Sequence, residues 1–275
     1  MKTKYYLLTT LLFVSFCSKS FAQWNNQTSG TIQHLNSIYA TSNSSVYVVG
    51  ENGTGLKTTT SGALWNTMSL GVFETQNCVR FFNPTTGFTA GGHTHILKTS
   101  NSGASWANIG GGFTFLYDGY FTSASSGWVV GNLEGGYGFL FNPFTLNIIQ
   151  ITANSNKVLR GIFFASGTTG WVVGDGGLII KTINNGIGWT QQTSGTINQL
   201  NKVMFVSATN GVAVGNSGTI LRTINGGTNW TLTTSGTVEN LNSIYYADAL
   251  NLWACGDNGI IIKSSDGGVS WTPEI

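Results

Sequence analysis

The sequence predicts an all-β fold: a six-bladed β-propeller of four-stranded blades. Three observations carry this. Tryptophans recur at Trp24, Trp65, Trp106, Trp189, Trp230 and Trp271, in steps of 41, 41, 83, 41 and 41 residues, and 83 is two periods with one Trp replaced. A second landmark, the glycine that ends an apolar run, keeps the same period at Gly50, Gly91, Gly131, Gly174, Gly215 and Gly256. After residue 22 no stretch has helical periodicity, and 38 glycines against three prolines punctuate short apolar runs. A period near 40 residues holding four short runs is the pattern of a propeller blade. One such sheet cannot bury both of its faces, so blades stack around an axis.

Residues 1–22 are expected to be a cleaved secretory signal. Lys2 and Lys4 supply the positive start, Tyr5 to Phe16 the apolar core, and Ser20-Phe21-Ala22 the small-x-small site. The apolar run is too short for a bilayer span. Cys17 offers lipoprotein anchoring as the alternative, against which the bulk of Phe16 counts. Removal of the leader takes away Lys2, Lys4 and Lys19, so 12 Lys+Arg against 10 Asp+Glu becomes 9 − 10 = −1. Such a chain lacks the basic footprint of a nucleic-acid binder. The expected address is secreted or periplasmic, the expected state a monomer.

Residues 23–275 then form one domain of six repeats. Within a repeat the first strand is exemplified by Leu241–Tyr246 and the second by Leu252–Cys255. A Gly-Asp-Asn-Gly turn (256–259) follows, then a third strand, Ile260–Ser264, and Trp271 begins the fourth. Turns of Gly, Asn and Asp tolerate the positive φ that tight hairpins need. The chain opens on a fourth-strand sequence, Trp24–Thr28, which is expected to complete the last blade and close the ring. The terminal Trp271–Ile275 is its rival for that place. Cys78 and Cys255 are expected as unpaired, buried thiols.

Before each Trp stands a turn whose best copy is Ser264-x-Asp266-x-Gly268-x-Ser270-Trp271. The carboxylate there can accept backbone N–H groups, and Gly takes the left-handed position, which is a structural role. The corresponding positions are Thr58 and Trp65, Asn101 and Trp106, Asn184 and Trp189, and Asn225 and Trp230. This motif matches the Asp-box, or bacterial neuraminidase repeat. The wider unit Gly170–Trp189 resembles the repeat of the photosystem II stability/assembly factor propellers. The resemblance spans residues 24–271 and implies a propeller fold with its boxes at the periphery. Better-known propellers of that type have seven blades, whereas this chain encodes six. Such repeats serve sialidases, polysaccharide-degrading enzymes and assembly factors alike, so the resemblance implies a fold and leaves several functions open.

Catalytic constellations are sparse. A sialidase-type carboxylate grip needs three converging arginines. The chain has Arg80, Arg160 and Arg222 alone, and Arg222 sits at a repeat position shared with Lys57, Lys98, Lys181 and Lys263. That basic position is read as a side chain laying its stem along the blade, with a cation–π contact to an aromatic neighbour. Glycoside hydrolysis needs two facing carboxylates. Turn chemistry accounts for most of the acids and leaves Glu74, Asp118, Glu134 and Glu239. His93 and His95 interrupt a hairpin but lack a third ligand, so no metal and no cofactor is expected.

The third repeat breaks the rule. Phe141–Asn147 replaces its turn, and aromatics crowd beside spare acids in the loops around it. Tyr117, Asp118, Tyr120, Glu134 and Tyr137, with His93 and His95, form the expected binding surface. The resulting reading is a secreted, non-catalytic scaffold for a protein or cell-envelope partner. A carbohydrate-binding or divergent glycosidase propeller and an assembly factor for a membrane protein complex are its alternatives.

Overall fold

The computed structural model describes residues 26–92, 95–110, 115–132, 138–145, 147–150 and 157–274. Six antiparallel four-stranded sheets follow one another along the chain, each built from four consecutive strands in spatial order. Blade one is typical, with Leu35–Ala40, Val46–Gly50, Gly55–Thr58 and Asn66–Thr67. Blade six repeats it with Leu241–Tyr246, Leu252–Gly256, Ile261–Ser264 and Thr272–Pro273. The expected all-β propeller is what the chain forms. Its helical content among the described residues is two single 3-10 turns, Asp175–Gly177 and Asp257–Gly259, in the second hairpins of blades four and six.

First strands of consecutive blades lie against one another, which makes them the innermost strands. In all six blades a bulge interrupts the start of this strand, as between Leu200 and Lys202 and between Leu116 and Asp118. That added twist turns residues of one narrow strand toward both neighbours and the axis.

Side chains on each blade's two faces then interdigitate. Trp171, Val173 and Ile179 on the back of blade four meet Leu200, Val203, Phe205 and Leu221 on the front of blade five. Ring pairs lock these faces: Tyr47 on Phe81 at 3.9 Å, Phe88 on Phe121 at 4.0 Å and Trp171 on Phe205 at 3.5 Å between centroids. Burying such a ring contributes roughly 1.5–3 kcal/mol. The Trp before each fourth strand helps cover these clusters. Trp230 and Trp271 are buried, while Trp65, Trp106 and Trp189 are half-buried.

Five clusters of this kind join the six blades. Among the described residues none joins blade six back to blade one. Ile38 on the front of blade one is 64% exposed, whereas Val79, Ile162 and Val203 at the same repeat position are 0% exposed. Among the described residues, blade six therefore does not cover the front of blade one.

The expected closure by an N-terminal fourth strand is not what the fold uses. Thr272–Pro273 pairs with Ile262 and Lys263 and completes blade six from its own repeat. The local partner wins because a short hairpin has little loop entropy to overcome. Trp24 lies outside the described residues, but Gln27 stands beside blade one, its Oε1 accepting Trp65 Nε1–H at 3.2 Å. Gln192 does the same for Trp230 at 3.1 Å. Gln27 thus takes beside blade one the place that a fourth-strand residue takes beside the following blade, and among the described residues the N-terminal segment does not pair with blade six.

Candidate functional site

Two places on the inner strands bring functional side chains together: the axis, and the end of the ring that carries the second hairpins. At the axis Lys202 Nζ, from blade five, donates to Asp118 Oδ2, from blade three, at 2.6 Å. The Ile162 N–H of the intervening blade donates to the same oxygen at 3.0 Å. Asp118 is 2% exposed, so its charge is compensated within the fold. Burial pushes the Lys202 ammonium below its usual range, and the Asp118 carboxylate pulls it back up. Burial drives the neighbouring Cys78 thiol up to about 12, with Asp118 adding to the effect. A thiol held protonated is a poor nucleophile. Asp118, expected on a binding surface, is an interior strut.

The Tyr residues expected beside it divide. Tyr120 packs into the core, its ring 5.1 Å from Phe163 and 5.9 Å from Phe164, and burial pushes its phenol up. Tyr117 is half-buried nearer the hairpin end, with the Arg160 guanidinium 5.2 Å above its ring. Arg160 Nε also donates to Asp175 Oδ1 at 2.5 Å. Arg160 is thereby held between an aromatic face and a carboxylate, a planar cation at the mouth of the axis. Repeat spacing alone does not single out Arg160, because its partner Asp175 occupies a position that turn chemistry already explains.

His95 lies at the same end, its Nδ1 3.5 Å from Glu74 Oε2. His93, Glu134 and Tyr137 fall outside the described residues. No group of His, Cys, Asp and Glu with metal-holding geometry occurs among the described residues. The other spare acid, Glu239, accepts Asn258 Nδ2–H at 2.8 Å. The three arginines do not converge: Arg80 lies over Tyr39, Arg160 is paired with Asp175, and Arg222 serves the interface to blade six.

The repeating basic position has a sharper role than a packed stem. Lys57 Nζ donates to Ser102 O at 2.8 Å, Lys181 Nζ to Gly226 O at 2.9 Å and Arg222 Nε to Gly267 O at 2.8 Å. Each acceptor is a carbonyl in the third-to-fourth-strand turn of the following blade. The cation also lies over its cross-strand ring, at 5.1 Å for Lys57 on Tyr47 and for Lys181 on Trp171. These residues fasten one blade to the next.

The turns themselves hold by side-chain to backbone bonds. Ser264 Oγ accepts Gly268 N–H at 2.8 Å, and Asp266 Oδ1 accepts Val269 and Ser270 N–H at 3.0 Å. Asn184 and Asn225 accept the equivalent N–H groups of Gly188 and Asn229 at 2.9 Å, so the amide replaces the carboxylate without loss of the turn. The Ser270 hydroxyl, followed by the backbone bonds, holds the Asp266 carboxyl down at about 2. These residues are structural.

Comparison with known proteins supports the repeat type. The sequence model of a family described as Photosynthesis system II assembly factor YCF48 matches residues 189–273, less than half of the chain. No curated protein matches the sequence. Among solved structures, YCF48 from Cyanidioschyzon merolae aligns with a TM-score of 0.71 at 14% identity, over 92% of this chain and 88% of that one. A structure titled YCF48 bound to D1 peptide aligns with a TM-score of 0.72 at 18% identity, over 93% and 85%. The WD40 repeats of RRP9 align with a TM-score of 0.72 at 7% identity, over 90% and 81%. At these identities the likeness is one of fold.

Proposed function

We propose that the chain is a non-catalytic binding propeller that, once its leader is removed, works outside the cytoplasm by holding a segment of a partner protein. The observation that carries this reading is Arg160, fixed between the Tyr117 ring and Asp175 at the hairpin end of the axis. A pre-oriented guanidinium beside an aromatic can take a carboxylate or a backbone carbonyl of an extended segment with little loss of side-chain freedom. The similar structure titled as bound to a D1 peptide favours a protein partner over a glycan. The described acids also favour a scaffold, since Asp118, Asp175, Asp257 and Asp266 each accept bonds that hold strands or turns.

The test is quantitative recovery of co-purifying proteins from envelope extract on wild-type, Arg160→Ala and Tyr117→Ala chains of matched thermal stability. A protein enriched on wild type and lost from both variants supports the reading. Equal recovery on all three removes it.

A further inference from the structure

The fifth residues of the first strands gather at the end of the axis opposite Arg160. Tyr39, Arg80, Tyr120, Phe163 and Met204 hold this position in blades one to five, each in the same register with its second strand. All five are half-buried although they stand on the innermost strands. Part-exposed side chains on inner strands require an opening, so the axis is recessed at the end that carries the first hairpins. Two residues earlier on these strands, Lys202 Nζ and Asp118 Oδ2 bridge the axis and floor the recess. Two strand residues span about 7 Å, room for one small ring with a single polar substituent.

Arg80 brings a charge to this recess that nothing in the fold compensates. Its guanidinium lies 5.8 Å from the Tyr39 ring centroid and enters no ion pair among the described residues. Its Nε is buried without an acceptor. The other arginines are satisfied, Arg160 by Asp175 and Arg222 by Gly267 O. Lys202 and Asp118 cancel one another, which leaves one positive charge partly withdrawn from water and in want of an opposite one. Burial pushes the Tyr120 phenol up and the Arg80 charge opposes that rise, so the guanidinium stands within electrostatic reach of Tyr120 as well. The Tyr120 and Phe163 rings, 5.1 Å apart, continue the wall toward Met204.

We propose that this recess binds a small aromatic monocarboxylate. The carboxylate supplies the counter-charge that Arg80 lacks, and the ring lies against Tyr39, Tyr120 and Phe163. A lone guanidinium matches a single negative charge, and its planar donors suit a carboxylate. Aromatic walls around a few polar groups suit a flat apolar body. The floor made by Lys202 and Asp118 limits the depth to a ligand of about one ring. The recess is at the far end of the axis from Arg160, so the proposal goes beyond the partner-binding reading and the two fail separately.

The probes are benzoate and its neutral isostere benzamide, each titrated into the full chain and followed by ligand-observed NMR. Benzoate is expected to bind saturably, and benzamide about tenfold more weakly because it forfeits the charge-assisted pair. Acetate, which keeps the charge and loses the ring, should also bind about tenfold more weakly. Arg80→Met should raise the benzoate dissociation constant about tenfold, and Arg80→Lys should raise it less because the charge remains. The three-probe comparison is made on the wild type and stands whether or not either variant folds. Absence of saturable benzoate binding, equal affinity for benzoate and benzamide, or full affinity in a folded Arg80→Met protein overturns the proposal.

Discussion

Lys202 Nζ and Asp118 Oδ2 meet at 2.6 Å although they stand 84 positions apart and two blades apart. A contact that skips a blade can be made only at the axis. The Ile162 N–H on the same carboxylate ties in the blade that is skipped. Charge in this pair holds the inner strands in register instead of presenting a ligand site.

Lys202→Met should therefore destabilise the chain by about 3 kcal/mol, because it leaves a buried carboxylate without its counter-charge. The double variant Lys202→Met with Asp118→Asn should recover part of that loss. Urea unfolding followed by tryptophan fluorescence measures both, and a neutral Lys202→Met would contradict the strut.

Equivalent lysines should differ according to whether a neighbouring blade covers them. Lys181→Met removes a charge-assisted bond to Gly226 O and should lower stability by about 1.5–3 kcal/mol. Lys263→Met, on the uncovered face, should change it by less than about 0.5 kcal/mol. Thermal melts of the two single variants make the comparison.

Two glycines with positive φ separate backbone strain from crowding. Gly227 has φ +85° and would bring a methyl group to 2.1 Å from Gln192 Oε1, whereas Gly236, at φ +77°, has open space around it. Gly236→Ala should cost about 1 kcal/mol for the left-handed backbone alone. Gly227→Ala should cost more, because Gln192 must also release Trp230 Nε1. Chemical denaturation of both proteins decides the order.

Acid should loosen the last turn. The Asp266 carboxyl is held at about 2 by its bonds to Ser270 and Ser264, below the ordinary carboxylate value it regains on unfolding. A depressed folded value means the contribution is full above the unfolded value and is lost as pH falls through about 2. Asp266→Asn should keep the turn, as Asn225 does in blade five, and should abolish this contribution to the acid dependence. Melting temperatures of the two proteins between about pH 5 and pH 2 should converge on the acid side. The effect is small because the group is only half-buried and solvent screens it.

The period, the strand and turn positions, the blade count and the structural role of the turn residues are all legible in the amino-acid order. Those properties are local: each hairpin closes within a few residues, and alternation and turn chemistry report it directly. Properties that depend on neighbours distant along the chain emerge only once the blades are assembled. The pattern around Cys255 matches that of buried Val214, yet Cys255 is exposed because, among the described residues, no further blade packs on that face of blade six. Asp118 reads as a spare acid until Lys202 arrives from across the axis. The regular basic residues of the third strands are visible as a repeat feature, but their acceptors, carbonyls in the next blade's turn, leave no mark on side-chain identity. Ring closure is the least legible feature, because two fourth-strand sequences compete for one edge and only pairing geometry selects Thr272–Pro273.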